Sequence, residues 1–223
     1  MTFEKGSDPK PSKTLQDLQT RERLIQQASI LFADRGFKKV TVREICRTSR
    51  ANVAAVNYHF GDKAGLYREV VQAAIKTMKE TNELGQRAGE GSSPEEQIRV
   101  FVRIFVSRLT GSGPSAWIHK LMAREMEEPS EALDLIMKQV VQPRMDYLSG
   151  VAGSIMRLPA GDPRVLRAVA SLQGQCLIFA RQVPPSMARA WGPVAKDVDA
   201  IANHVAEFSL GGMRAIAHQA QPA

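Results

Sequence analysis

The sequence predicts an all-α protein of about nine helices, and three observations predict it. Apolar residues recur at threes and fours almost throughout, no turn joins two alternating runs into a hairpin, and capping residues stand ahead of several apolar-periodic segments. With 43% hydrophobic and 24% charged residues over 223 positions, the chain has the material for a sizeable core. A disordered chain and a single short module are excluded.

Thr20 is placed to cap a first helix whose face is Leu24, Ile25, Ala28, Leu31 and Phe32. Gly36 should stop that helix, with Phe37 folding back on the same face. Thr41 opens a short second helix carrying Val42 and Ile45. Asn52 caps a third, also short, with Val53, Val56 and Phe60, and Gly61-Asp62 starts a fourth from Lys63 past Met78. The Gly/Ser-rich stretch 85–93 is a break, and Ser93-Pro94-Glu95-Glu96 forms a capping box with proline at the first helical position. A fifth helix follows with Ile98, Phe101, Val102, Phe105 and Leu109 on one side. A sixth spans Trp117 to Glu127, and a seventh begins at Pro129 and should kink near Pro143, where a backbone donor is missing. Asp162-Pro163 starts an eighth helix reaching Ala180. Pro184-Pro185 precedes a last one from Pro193 to Ala217.

Lys and Arg number 30 against 23 Asp and Glu, and the excess is concentrated at the start: residues 1–65 hold 12 basic and 7 acidic side chains. That distribution favours a polyanionic partner. Cys46 and Cys176 lie far apart with no CxxC or Cys/His cluster, which excludes a disulfide framework or zinc site and fits reduced thiols in a cytoplasmic protein. No apolar run reaches the ~18 residues needed to cross a bilayer, so no membrane association is expected. Residues 1–19 have no apolar signal core and are expected to form a mobile basic leader.

The informative stretch is TVREICRTSRANVAAVNYHFGDKAGLY, Thr41 to Tyr67: two short helices, a tight connection, then an aromatic-His-Phe segment leading into a long helix. Through Thr41, Val42, Ile45, Val53, Val56, Tyr58, His59, Phe60, Lys63 and Leu66, preceded by Leu31-Phe32-Ala33-Asp34-Arg35-Gly36, it resembles the TetR family of bacterial regulators. Residues Asn52 to Gly61 and Leu172-Gln173-Gly174-Gln175-Cys176 look like its CecR (YbiH-like) branch. One departure stands out: the family's usual glycine at the turn is Arg50 here, and positive φ costs an arginine more than a glycine.

The resemblance implies a TetR-type helix-turn-helix domain over residues 20–66 and an effector-binding and dimerisation domain over 67–223. A short helix with small residues at its start lets side chains approach base edges in a major groove, which puts Val53, Ala54, Ala55 and Asn57 against DNA. Asn57 offers a donor and an acceptor, and the alanine methyls suit thymine methyls. Thr41, Arg43, Arg50, Asn52, Tyr58, His59 and Lys63, with Arg47, flank that helix and suit phosphate contact. Val42, Ile45, Val53, Val56 and Phe60 are core by spacing, so Val53 is counted in both sets.

In the larger domain Val165, Val169, Leu172, Cys176 and Phe179 step by fours and threes, as do Val198, Ile201, Val205 and Phe208. The resemblance makes these two seams a homodimer interface; taken alone they serve equally as intrachain core. Phe101, Phe105, Trp117, Met122, Met126, Ile136 and Met137, with Glu125 as a polar orienting group, are the expected pocket for a small apolar or amphiphilic effector.

The expected function is therefore a dimeric, ligand-responsive transcriptional regulator, a repressor by resemblance, released from a palindromic double-stranded DNA operator. A DNA-binding regulator or architectural protein without an effector is the alternative. A helical enzyme is disfavoured, since His59, His119, His204 and His218 have no spacing that builds a triad or metal site; no cofactor and no metal is expected.

Overall fold

The computed structural model describes residues 13–111, 116–180 and 197–219. Among these every regular element is helical. Helix α1 (Lys13–Lys39) leaves helical geometry at Gly36, where φ is 79° and ψ 160°. That conformation turns Phe37 back so that its ring stands 5.9 Å from Phe32 and 5.0 Å from Tyr67. Thr20 is not a cap: α1 begins seven residues earlier, inside the expected leader, and the Thr20 hydroxyl donates to the Gln16 carbonyl at 2.8 Å. Serine and threonine make this i−4 bond readily inside a helix, which is why a capping residue type alone does not mark a start.

Helices α2 (Val42–Ser49), α3 (Val53–Phe60) and α4 (Lys63–Ala88) begin where Thr41, Asn52 and Asp62 cap them. The break expected from Gly85 is shorter, because α4 runs through it. A Cβ at Gly85 would sit 2.7 Å from Phe101 Cδ2, so the missing side chain makes room for a ring of the next helix, α5 (Pro94–Thr110). Ser93 caps α5 by accepting from Glu96 N at 3.3 Å.

Helix α6 (Trp117–Glu127) follows. The seventh segment opens on Ser130 rather than Pro129, as α7 (Glu131–Ile136). It passes through a π segment, Met137–Val141, into α8 (Gln142–Met156). The wide turn lies just ahead of Pro143, whose ring would meet the carbonyl of the preceding turn in an α register, and Gln142 N–H bonds to Met137 five residues back. Asn82 Nδ2 donates to the Val140 carbonyl in that segment at 3.1 Å, tying α4 to the bulge. Helices α9 (Pro163–Ala180) and α10 (Val198–Gln219) complete the described chain, α10 opening on Asp197; the expected start at Pro193 and the Pro184-Pro185 interruption lie outside the described residues.

The apolar side chains segregate into two cores. One joins Leu24, Phe32, Ile45, Val56, Leu66 and Val70 to Ile118, Leu121, Ile136 and Val140, so α6 and α7 pack on the N-terminal helices. The other lies among α5, α8, α9 and α10. The position expected to divide the domains, 66/67, falls inside the continuous α4.

This second core corrects the expected dimer seams. Val165, Val169, Leu172, Cys176, Ile201 and Val205 are buried within the chain itself, and Phe179 and Val198 are partly buried against them. Periodicity finds the most apolar face of a helix but does not name what covers it; here α5 and α8 do. Of the nine residues only Phe208 is exposed, at 64%. Leu166, Leu177 and Ile178 on α9 share that exposure, and Gly174, Gly211 and Gly212 have open space where a Cβ would be.

Candidate nucleic-acid interface

The reader is built by local hydrogen bonds. Thr41 and Glu44 form a reciprocal capping box: the threonine hydroxyl accepts from Glu44 N at 3.2 Å, and Thr41 N donates to Glu44 Oε2 at 3.2 Å. Arg35, at the end of the main run of α1, holds the other carboxylate oxygen of Glu44, so the start of α2 is fixed against α1. That guanidinium lowers the pKa of the Glu44 carboxyl. Arg50 takes the left-handed conformation, φ 52° and ψ 42°, and ends α2 where glycine is the easier residue. Asn52 Oδ1 then accepts from Ala55 N at 2.7 Å and starts α3.

Val56 and Phe60 anchor α3 in the core, which leaves Ala54, Asn57 and Tyr58 on one outward stripe, Tyr58 at 77% exposure. Val53 is exposed at 44%, so it belongs to the outer surface and not to the core expected from its spacing: as the first residue of the helix it precedes the turn that contacts α1 and α4. Ala55 is partly buried against the core. Arg43, Arg47, Arg50 and Asn52 are exposed around the stripe, and the three arginines form no ion pair among the described residues. Thr41 is exposed while capping. His59 is half-buried, its ring 4.9 Å from Tyr58 and 5.8 Å from Phe60; Lys63 Nζ lies over the Phe37 ring at 4.3 Å. The arrangement is a short helix with a small-residue face, ringed by unpaired cations.

Gly65 is a residue that pattern reasoning passes over. Asp62 Oδ1 accepts from its N–H at 2.6 Å, and a Cβ there would lie 1.9 Å from the Phe60 carbonyl oxygen. Only glycine lets α4 begin so close under the end of α3, and a glycine in a first helical turn is the signal that could have found it.

The reader is coupled to the rest through α6. Lys120 Nζ meets Asp34 Oδ1 at 2.7 Å and Arg124 donates to the Asp34 carbonyl at 2.8 Å, along a surface groove of about 330 Å³ between α1 and α6. On the same helix Glu125 is buried and both its oxygens are bonded: the Tyr67 hydroxyl donates to one, and Ser130 N and Oγ donate to the other at 3.1 and 2.8 Å. Burial and the bond to Glu125 push the Tyr67 phenol well above its usual range. Glu125 therefore joins α4, α6 and α7, and is not the free orienting group expected in a pocket.

The other expected pocket residues are not brought together. Phe101 and Phe105 lie in the α5/α8/α9/α10 core, whereas Ile136, Trp117 and Met122 belong to the N-terminal core. Met126 and Met137 are exposed at 67% and 42%. Which core a methionine or aromatic joins depends on helix packing, which spacing along one helix does not encode.

Comparison with known proteins supplies the family. Residues 24–70 match the model for bacterial regulatory proteins of the tetR family. Residues 94–213, more than half of the chain, match the C-terminal domain of the HTH-type transcriptional dual regulator CecR. The chain belongs to the TetR family. As a TetR-family protein with a CecR-type C-terminal domain it is a DNA-binding transcriptional regulator and not an enzyme. It is 27% identical over 178 residues to the HTH-type transcriptional dual regulator CecR of Shigella flexneri, covering 76% of this chain and 79% of that one. Two solved structures share the fold. The TetR-family regulator PfmR from Thermus thermophilus has TM-score 0.64 at 18% identity, covering 85% of this chain and 97% of that one. A TetR-like regulator from a Rhodococcus species has TM-score 0.62 at 17% identity, covering 86% and 94%. No described helix of this TetR-family chain is long and apolar enough to cross a membrane.

Proposed function

We propose that this TetR-family regulator acts in the cytoplasm as a homodimeric repressor, reading a palindromic operator through α3 and released by a small apolar or amphiphilic effector. The observation that carries the reading is the outward stripe of Ala54 and Asn57 with Val53, ringed by Arg43, Arg47 and Arg50. Asn57 and the alanines supply base contact; Thr41, Asn52, Tyr58, His59, Lys63 and the arginines supply backbone contact. The homodimer forms through the outer faces of α9 and α10 rather than through their buried seams. Two copies of α3 then enter successive major grooves about 34–36 Å apart. An effector acts by preferring a dimer with another spacing, transmitted through α4 and the α1–α6 contact. A regulator without an effector is the second reading, favoured by the division of the expected pocket residues between two packed cores.

The test is a fluorescence-anisotropy titration of the duplex upstream of the gene itself, over a NaCl series and against a panel of amphiphiles. Specific binding that weakens about 1,000-fold or more between 50 and 200 mM salt, and is reversed by at least one amphiphile, is the expected result. Equal affinity for a random duplex would overturn the DNA-reading proposal. Specific binding that no amphiphile reverses would favour the second reading.

A further inference from the structure

A cation lies against the core among α5, α8, α9 and α10. Arg144, in the first turn of α8, is mostly buried; its guanidinium carbon lies 4.8 Å from the centroid of the Phe105 ring, and its Nε donates to Gln173 Oε1 at 3.1 Å. Gln173 is itself buried, at 7% exposure. No carboxylate of the described residues pairs with Arg144. Burial lowers its pKa to about 10, so it keeps its charge at neutral pH. The neighbouring Cys176 thiol is pushed up to about 12 by burial, stays protonated and supplies no counter-charge.

Three residues along α8 the Tyr147 hydroxyl is buried without a hydrogen-bond partner among the described residues. Burial raises its pKa, which keeps it a neutral donor. Phe101 connects the two: its ring is 5.8 Å from Tyr147 and 5.8 Å from Phe105, nearly parallel to the latter at 26°. A mostly buried guanidinium without a counter-ion is costly to maintain, and an unpaired buried hydroxyl adds to that cost. Both costs fall when an anion arrives. With Nε held by Gln173, the two terminal nitrogens remain for a planar, bidentate acceptor. One cation matches one negative charge, which favours a carboxylate over a doubly charged phosphate.

We propose that Arg144, with Tyr147, is the headgroup site for a carboxylate ligand whose apolar body lies along Phe101 and Phe105. This rests on the effector-responsive reading above, and it names the chemical class of the effector.

The experiment uses the full-length protein and two probe pairs, 1-naphthoate against 1-naphthalenemethanol and octanoate against octanol, with calorimetric titration and thermal melting of wild type, Arg144→Met and Tyr147→Phe. In wild type at least one carboxylate is expected to bind about tenfold or more tightly than its alcohol and to raise Tm. Arg144→Met should erase that preference and, by removing an unpaired buried charge, raise the Tm of the ligand-free protein. Tyr147→Phe should keep the preference and weaken it. Equal affinity for acid and alcohol, no binding of either acid, or a ligand-free Arg144→Met protein that melts lower than wild type would each overturn the proposal. Carboxylate binding that leaves operator affinity unchanged would support the headgroup site and count against the effector reading. Operator release by the alcohols, independent of Arg144, would do the reverse.

Discussion

Phe208→Glu is expected to turn the proposed dimer into a monomer and to lower operator affinity by a factor of about 100 or more. Phe208 stands 64% exposed on α10, beside an α9 face that exposes Leu166, Leu177 and Ile178. Single exposed apolar residues are ordinary on a protein surface, but three on α9 and Phe208 on α10, with glycines that admit close approach, suit the proposed helix-pair interface. Twofold symmetry would bury two new carboxylates, one from each chain, and an unpaired buried charge costs several kcal/mol. Loss of the second reading head then removes half of the base and phosphate contacts. Light-scattering mass at micromolar concentration checks the first part and anisotropy on the operator the second. Leu172→Ala, at a fully buried seam position, should behave oppositely: a dimer less stable by about 2–5 kcal/mol per chain. A Phe208→Glu protein that stays dimeric would place the interface elsewhere.

Glu125→Ala is expected to lower unfolding free energy by about 2–4 kcal/mol, measured by urea denaturation. The carboxylate accepts from the Tyr67 hydroxyl and from both Ser130 donors, and the Tyr67 ring packs on Phe32 and Phe37 of α1. Its removal strands a buried phenol, at about 1–3 kcal/mol when unsatisfied, and breaks the two bonds from the exposed Ser130, whose donors can turn to water. Tyr67→Phe removes one donor and should cost less. The two changes together should fall short of their sum, because the second deletes a group the first had already orphaned. A loss below about 1 kcal/mol for Glu125→Ala would mean that the cluster is rehydrated and does not join the reader to the rest.

What the sequence made legible follows from the range of the interactions concerned. The starts of α2, α3 and α4 were readable because Thr41, Asn52 and Asp62 each bond to a backbone N–H three residues on. The turn at Arg50 was legible as a departure, and the structure shows how it is met, with a left-handed arginine. Thr20 misled because a hydroxyl can bond backward inside a helix as well as forward at a cap. The seams on α9 and α10 are apolar as their spacing says, and most of their residues are buried within the chain; a periodic face carries no label for what covers it. Glu125 and Arg144 take their meaning from Tyr67 and Gln173, 58 and 29 positions away, a separation no local pattern reaches.

Sequence recognition by this regulator requires that the outward stripe of α3 touch base pairs. It is tested most directly by selecting bound sequences from a randomised operator library with wild type and with Asn57→Ala. An inverted repeat is expected in both, with base preference lost at one symmetric position in each half-site of the variant. Overall affinity should fall about tenfold, and the salt dependence set by Arg43, Arg47 and Arg50 should be retained. Identical preferences at every position in wild type and variant would contradict it.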